Sequence, residues 1–388
     1  MSVTVADRAP ASLPSAAPAP ADAPAAAADT AAPLRWDGRA TRLVAIGLGN
    51  LALSLVTLGL YRFWGTVRFR RYLWAHQEFL GTRLEYSGTG GELFRGFLKA
   101  LLVVAPALLL AALVEPLLAP YPVAAWAFFA AKLAVFGYCV GLARHAARRY
   151  IAGRTLWRGL RFTLTGSPWH FGLVSLGWMA LTLLTLGLAH PFAVAAQARW
   201  TLGRLRLGTA PLRFEGGGRA LLRPWLVFWG FAATSGLTLW VLIGSGITER
   251  VIGHLPAEVE HDAVGTARLA LNLAVAALCV LPGVLLGWCA WSAKVMRWRA
   301  EHTVVGGARF SMPGASGWAV LRLLAGNLLV STLSLGLLHP VAMARNAAFF
   351  ARHLRLDRAP DLSAVRQAER GPGTGEGVAD LLGAGAFG

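Results

Sequence analysis

A lysine and two histidines are the titratable side chains best placed for chemistry in this otherwise apolar chain. Lys132 lies deep in an apolar stretch, and His190 and His339 occupy matched positions just after breaks in two hydrophobic runs. An ionisable group inside a membrane span is a functional hypothesis by default, and histidine changes its charge near neutral pH. These residues predict a polar path through the protein. The alternative for each histidine is a helix-end residue that bonds free backbone carbonyls.

The partner of Lys132 is harder to identify. A turn near 119–120 leaves Glu115 close to the end of one apolar stretch and places Lys132 much deeper in the next. The two charges are therefore expected at different depths, and no direct ion pair is predicted. Lys132 is instead expected to need another partner or a water-filled cavity, since an isolated charge in lipid is costly.

Hydroxyl side chains recur beside the same breaks. The element Thr/Ser-Leu-Gly-Leu occurs at 57–60, 185–188 and 334–337, and a second hydroxyl precedes each copy by three residues. In one interpretation these hydroxyls line the polar path. In the alternative, they let helices approach closely and hydrogen-bond across one another, as small polar residues do in lipid. The six candidates are Ser54, Thr57, Thr182, Thr185, Ser331 and Ser334.

No pattern of residues predicts catalysis. The chain lacks the short motifs of zinc proteases, nucleotide-binding loops and serine hydrolases. Its three cysteines, Cys139, Cys279 and Cys289, fall in apolar stretches without a paired spacing, which predicts no disulfide framework, metal site or cofactor. An integral-membrane enzyme is therefore the third hypothesis, behind two non-catalytic classes.

Arginines alternate with aromatic residues over 61–79. Such a segment suits the lipid headgroup zone, where rings lie at the interface and guanidinium groups meet phosphates. Arginine grips phosphate with two parallel hydrogen bonds, so a dedicated anionic-lipid site is the sharper hypothesis and an interfacial anchor is the alternative. The candidate contacts are Arg62, Arg68, Arg70 and Arg71.

Composition places the chain among multi-span membrane proteins. Hydrophobic residues make up 56% of the sequence and charged residues 14%, against about 25% charged in soluble domains. Four stretches are long enough to cross a bilayer, which takes about 20 apolar residues. They are 97–118, 122–143, 224–247 and 268–292. The net charge of +18 is interpreted as orientation toward an anionic cytoplasmic leaflet, and nucleic acid binding is not predicted, because the basic runs lie beside the spans.

The chain is internally repeated. His190-Pro191 matches His339-Pro340, and the similarity continues through Leu205-Arg206-Leu207 and Leu354-Arg355-Leu356. The predicted fold is an all-α polytopic protein with short broken or re-entrant helices and small cytoplasmic β-like hairpins. The predicted divisions are a disordered leader (1–36), a first repeat element (37–91), two membrane repeat units (92–218 and 219–365) and a disordered tail (366–388).

Each of the three short elements has an apolar run of only 15–17 residues, at or below the minimum for a span. Basic clusters follow each element and also follow the spans 122–143 and 268–292, so a simple crossing would put one cluster outside the cell, against the positive-inside trend. The sequence therefore predicts four spans, three re-entrant elements and cytoplasmic termini. The alternative is seven spans.

Residues 50–100 carry a resemblance. The runs Thr-Leu-Gly-Leu-Tyr-Arg-Phe-Trp (57–64), Arg-Phe-Arg-Arg-Tyr-Leu-Trp (68–74) and Gly-Thr-Gly-Gly-Glu-Leu-Phe-Arg-Gly-Phe (88–97) resemble the bacterial YjgN family, also called DUF898. The resemblance implies an inner-membrane protein of uncharacterised function and supplies no functional residues. Two function classes stay open: a transporter or channel-like protein with a polar path between repeats, and a non-transporting scaffold or anionic-lipid-binding protein. The expected partners of the protein are the lipid bilayer and anionic lipid headgroups.

Overall fold

The computed structural model describes residues 33–246, 261–363 and 365–367. Most of the predicted leader and tail therefore lies outside the described residues. The last residues of the leader, Leu34–Trp36, form a strand, β1.

Four long helices dominate the structure. They are α3 (Gly90–Leu118), α4 (Pro122–Arg154), α7 (Arg219–Gly244) and α8 (His261–Glu301). All four are long and apolar enough to cross a membrane, which confirms the predicted spans, although several of the helices run beyond them. Large apolar side chains face outward on these helices; Leu102, for example, is 77% exposed. Such a surface suits contact with lipid and not with water.

Three pairs of shorter helices accompany them. The first pair is α1 (Ala40–Val56) and α2 (Arg62–Ala75), the second α5 (Pro168–Leu184) and α6 (His190–Leu202), and the third α9 (Gly317–Leu333) and α10 (His339–His353). Proline stands near the start of α6 and α10, where its missing N–H costs no helical hydrogen bond.

The same turn joins the two helices of each pair. In the first turn Leu58 (φ 50°) and Gly59 (φ 87°) are both left-handed, and the second and third turns repeat this geometry. The Gly59 N–H donates to the Ser54 carbonyl over 2.6 Å, a helix-ending bond that leaves the chain free to reverse. Leu58 at the tip is 95% exposed, so a strongly apolar tip caps each short pair.

The strands are more extensive than predicted. β1 to β7 form a seven-stranded antiparallel sheet, and β8 to β11 form a four-stranded one. The expectation of an all-α protein with small β-like hairpins therefore underestimated the strands, because segments distant in sequence also pair with one another. The remaining strands are β2 (Gln77–Phe79), β3 (Thr82–Tyr86), β4 (Thr155–Trp157), β5 (Leu160–Leu164), β6 (Leu205–Leu207), β7 (Ala210–Pro211), β8 (Arg213–Phe214), β9 (Thr303–Val305), β10 (Ala308–Ser311) and β11 (Arg355–Leu356).

Strand pairing fixes where each helix pair begins and ends. β1 pairs with β2 on either side of α1–α2, and β3 with β4 on either side of α3–α4. The same holds for β5 and β6 around α5–α6, β8 and β9 around α7–α8, and β10 and β11 around α9–α10. The two sheets together form a strand layer. Every helix pair therefore starts from this strand layer and returns to it.

The helix pairs form a closed ring above this layer. α2 packs on α3, α4 on α5, α6 on α7, α8 on α9, and α10 on α1. The last contact contains Leu43 of α1 and Ala344 and Ala347 of α10 in one buried cluster. The sheets share a second cluster, in which Trp157 and Leu207 from the larger sheet pack with Val305 from the smaller one. The core thus lies at the strand layer and at the helix ends nearest to it.

The end of the described chain crosses the strand layer. Asp361 donates its backbone N–H to the Gly306 carbonyl, and Arg366 and Thr209 exchange hydrogen bonds. Just before this segment, Asp357 accepts a 2.7 Å bond from the Arg309 backbone N–H, which holds the pKa of Asp357 below its ordinary value. The bonds to Gly306 and Thr209 connect the end of the described chain to a turn in each of the two sheets.

Candidate anion-binding site

Lys132 forms an ion pair with Glu115, which the sequence analysis did not predict. Its Nζ lies 2.7 Å from Glu115 Oε2, so the prediction of no direct ion pair was wrong. Side chains on a helix lean toward its N-terminus. Because α3 and α4 run in opposite directions, Glu115 leans away from the connecting turn and Lys132 leans toward it. Two long side chains thereby close the difference in depth.

The two matched histidines lie in different surroundings. His190 is half-buried, with its ring centroid 4.5 Å from that of Trp225 and 5.9 Å from that of Trp291. His339 is exposed. The structure does not bring the two histidines together.

The hydroxyl groups at the breaks hold the turns. Thr57 donates to the Leu53 carbonyl at 2.8 Å and accepts from the Tyr61 N–H at 2.9 Å. The hydroxyls of Thr185 and Ser334 make the corresponding pairs of bonds. Within the part of the chain that the structure describes, no side-chain bond joins one of the nine residues proposed for the polar path to another of the nine. The path stays a prediction.

The four arginines of α2 tie that helix to its neighbours. Arg68 donates to Asn50 and Tyr61, the buried Arg70 donates to Tyr86, and Arg71 donates to the Gly88 carbonyl at 2.9 Å. The Arg62 guanidinium lies over the rings of Phe63 and Phe97. Each of the four thus has a structural contact, and their role in binding anionic lipid stays a prediction.

A large chamber lies where the ring of helices meets the strand layer. Its volume is about 590 Å³, within the range of small-molecule sites. Strands of both sheets and helices α2, α4, α6 and α8 all contribute to its wall. The polar lining residues are Gln77, Arg144, Arg148, Thr155, Gln197, Thr201 and Arg299, and the apolar ones include Phe79, Leu84, Phe162, Leu164, Val305 and Phe310.

Helical spacing explains how these side chains reach the chamber. Arg144, Arg148, Ile151 and Thr155 are separated by four, three and four residues, so they share one face of α4. Arg299 comes from the other side of the ring, in the last turn of α8. From sequence alone, these arginines are interpreted as markers of orientation in the membrane. Their spacing beside apolar residues was the only available signal, and it did not predict that α4 and α8 converge.

The three arginines of the chamber lack counter-charges. Arg144 and Arg299 both repel Arg148, and none of the three guanidinium groups has a hydrogen-bond or ion-pair partner in the described residues. The lining, which lies wholly in the described part of the chain, contains no Asp or Glu. Arg154, by contrast, lies 2.8 Å from Glu92. Unpaired positive charges facing a cavity are the arrangement that binds an anion.

The chamber offers binding chemistry more than catalysis. Its polar groups are guanidinium, amide and hydroxyl donors, without a histidine, cysteine or carboxylate in the lining to act as nucleophile or base. Across the described residues, no group of three or more His, Cys, Asp or Glu side chains is placed to hold a metal ion. A ligand that brings its own negative charge fits these donors.

Four helices that are long and apolar enough to cross a membrane, three pairs of shorter helices and a cavity lined by three arginines are the features of a multi-span membrane protein. The family model described as "Bacterial protein of unknown function (DUF898)" matches residues 31–381, and the chain belongs to this family. Two relatives named "Inner membrane protein YjgN", from Escherichia coli K12 and O157:H7, are each 39% identical over 57 residues. The matched segment spans 15% of this chain and 14% of each relative. No solved structure matches the chain.

Proposed function

We propose that this protein is an inner-membrane protein that binds an anionic ligand in the chamber. The observation that carries the proposal is the group of three arginines, Arg144, Arg148 and Arg299, which face one cavity without a carboxylate. Leaving like charges unpaired costs stability, so a fold that keeps them is expected to gain from a ligand that neutralises them. The name of the Escherichia coli relatives supports the inner membrane as the location.

Binding without transport is the better supported of the two function classes. A transport path needs polar groups that remain available along the span. Lys132 is already paired with Glu115, and the hydroxyls of Thr57, Thr185 and Ser334 are bonded to backbone within their own turns. The chamber lies instead at the strand layer, where the long helices end.

The proposal includes an orientation in the membrane. The strand layer lies on the cytoplasmic side, with four spans and three re-entrant helix pairs rising from it and both termini on the same side. Strand pairing at both ends of each short pair supports the re-entrant path. The basic residues that follow the apolar spans 122–143 and 268–292, in the last turns of α4 and α8, support the side, because positively charged segments stay in the cytoplasm.

Anion binding to the full chain in nanodiscs of zwitterionic lipid tests the function. Inorganic phosphate, sulfate and dodecyl phosphate are the probes, and empty nanodiscs correct for partition into lipid. Binding of at least one probe is expected to weaken tenfold or more in Arg148→Gln and Arg299→Gln. The matched controls Arg149→Gln and Arg297→Gln change arginines that do not line the chamber and are expected to bind normally. Failure of every probe, or equal binding by all variants, would refute the proposal.

A further inference from the structure

The chamber has two chemically different ends. On α4, Arg144 and Arg148 come first, and Ile151 and Ala152 follow toward the strands. The step from Arg148 to Thr155 covers about 10 Å along the helix axis. Below it, the strands supply Leu84, Phe162 and Phe310. The lining therefore changes from basic near the helices to mainly apolar within the strand layer, where Gln77 and Thr155 are polar.

The apolar end is open space and not packed core. Protein interiors are close-packed, with few voids larger than a water molecule. Side chains such as Leu164 and Val305 are buried from bulk solvent, yet they border a cavity of about 590 Å³. An inorganic anion would occupy only the basic end, and water gains few hydrogen bonds at the other. An apolar group attached to the anion fills the rest.

On this basis we infer that the ligand is a single-chain anionic amphiphile, with its charged group at Arg144, Arg148 and Arg299 and its alkyl chain among the strand residues. The inference rests on the proposed anion-binding function. The volume supports one chain: at ~30 Å³ for a water-sized group, the chamber holds roughly twenty non-hydrogen atoms. A headgroup with about a dozen carbons fits, whereas the two chains of a membrane phospholipid do not.

A chain-length series tests the inference. The full chain in zwitterionic nanodiscs is titrated with alkyl phosphates that lengthen one carbon at a time from butyl to hexadecyl, with empty nanodiscs as the partition control. Each buried methylene is expected to raise affinity about fourfold until the chamber is full, after which affinity stops rising. Dodecyl glucoside has the same chain without the charge and is expected to bind at least tenfold more weakly than dodecyl phosphate.

A variant that fills the chamber sharpens the test. Ala152→Leu adds three carbons to the lining, so the affinity is expected to stop rising at an alkyl chain about three methylenes shorter. The preference for dodecyl phosphate over dodecyl glucoside is expected to stay unchanged. Gly153→Ala is the neighbouring control, because a Cβ there meets nothing within 4 Å. If Ala152→Leu folds normally and its affinity stops rising at the same alkyl length as in the natural protein, the placement of the alkyl chain among the strand residues is overturned.

The outcomes separate the two proposals. If inorganic phosphate binds as tightly as dodecyl phosphate, the amphiphile is ruled out and the anion site survives. If no anion binds, the proposed function itself fails. If dodecyl glucoside binds as tightly as dodecyl phosphate to both the natural protein and Arg148→Gln, the site recognises the alkyl group and not the charge. That result overturns both proposals.

Discussion

Replacing Arg148 by glutamine is expected to stabilise the ligand-free protein. Arg144 lies one helical turn away, about 6 Å along the axis, and Arg299 faces the same space. At an effective dielectric constant near 20, two like charges ~8 Å apart repel by about 2 kcal/mol. The chamber admits solvent, which screens this repulsion, so we expect a gain of about 1 kcal/mol for Arg148→Gln. That corresponds to a rise in Tm of about 2 °C.

The same variant is expected to lose its response to ligand. A ligand at one hundred times its Kd stabilises the folded state by about 2.7 kcal/mol, which raises Tm by about 5 °C in the natural chain. Arg148→Gln is expected to show less than a third of that rise with dodecyl phosphate. Thermal unfolding in nanodiscs, followed by tryptophan fluorescence with and without ligand, measures both effects.

Arg154→Gln is the opposite case on the same helix. Arg154 lies 2.8 Å from Glu92, whose other oxygen accepts from Tyr150 at 2.6 Å. Removing it leaves a half-buried carboxylate with one partner fewer, at a cost of about 1–2 kcal/mol. If ligand-free Arg148→Gln also loses stability, the arginines of the chamber serve the fold, and the reasoning from unpaired charge is refuted.

Three further predictions follow from the fold. In a background without other cysteines, Gly208→Cys and Asp357→Cys are expected to react with a membrane-impermeant maleimide only after cell lysis; labelling of intact cells would reject the re-entrant topology. Lys132→Met and Glu115→Gln are each expected to lower Tm, and the double variant to recover about 1 kcal/mol, whereas strictly additive losses would mean that the pair contributes nothing. Gly187→Ala is expected to cost about 1–2 kcal/mol, because φ is 91° there and the new Cβ would lie 2.9 Å from Trp229; an unchanged Tm would contradict this turn geometry.

The sequence was sufficient for features that depend on neighbouring residues. Uninterrupted apolar length predicted the four long helices, and a glycine after Leu58, Leu186 and Leu335 predicted where the short helices break. The predicted β-like hairpins correspond to strands such as β3, because strand formation has a local signature.

Features that depend on distant residues were missed. Leu84 pairs with Trp157 across two complete spans, and no local pattern encodes such a partner. Lys132 and Glu115 were separated by counting residues from the turn, which ignores the lean of side chains on antiparallel helices. The chamber requires Arg148 and Arg299, which come from two different spans, to face one space. Each arginine alone resembles an ordinary positive-inside residue.

Closure of the ring between α1 and α10 has a consequence for biogenesis. The wall of the chamber draws on residues from Trp74 to Leu354, and the ring closes only when Ala344 and Ala347 pack against Leu43. During synthesis, the face of α1 that contains Leu43 therefore stays unpaired until nearly the whole chain has been inserted. Membrane proteases and chaperones that survey unassembled helices would therefore act on this protein mainly before α10 docks, and a chain stopped short of α10 is expected to be cleared and not to accumulate.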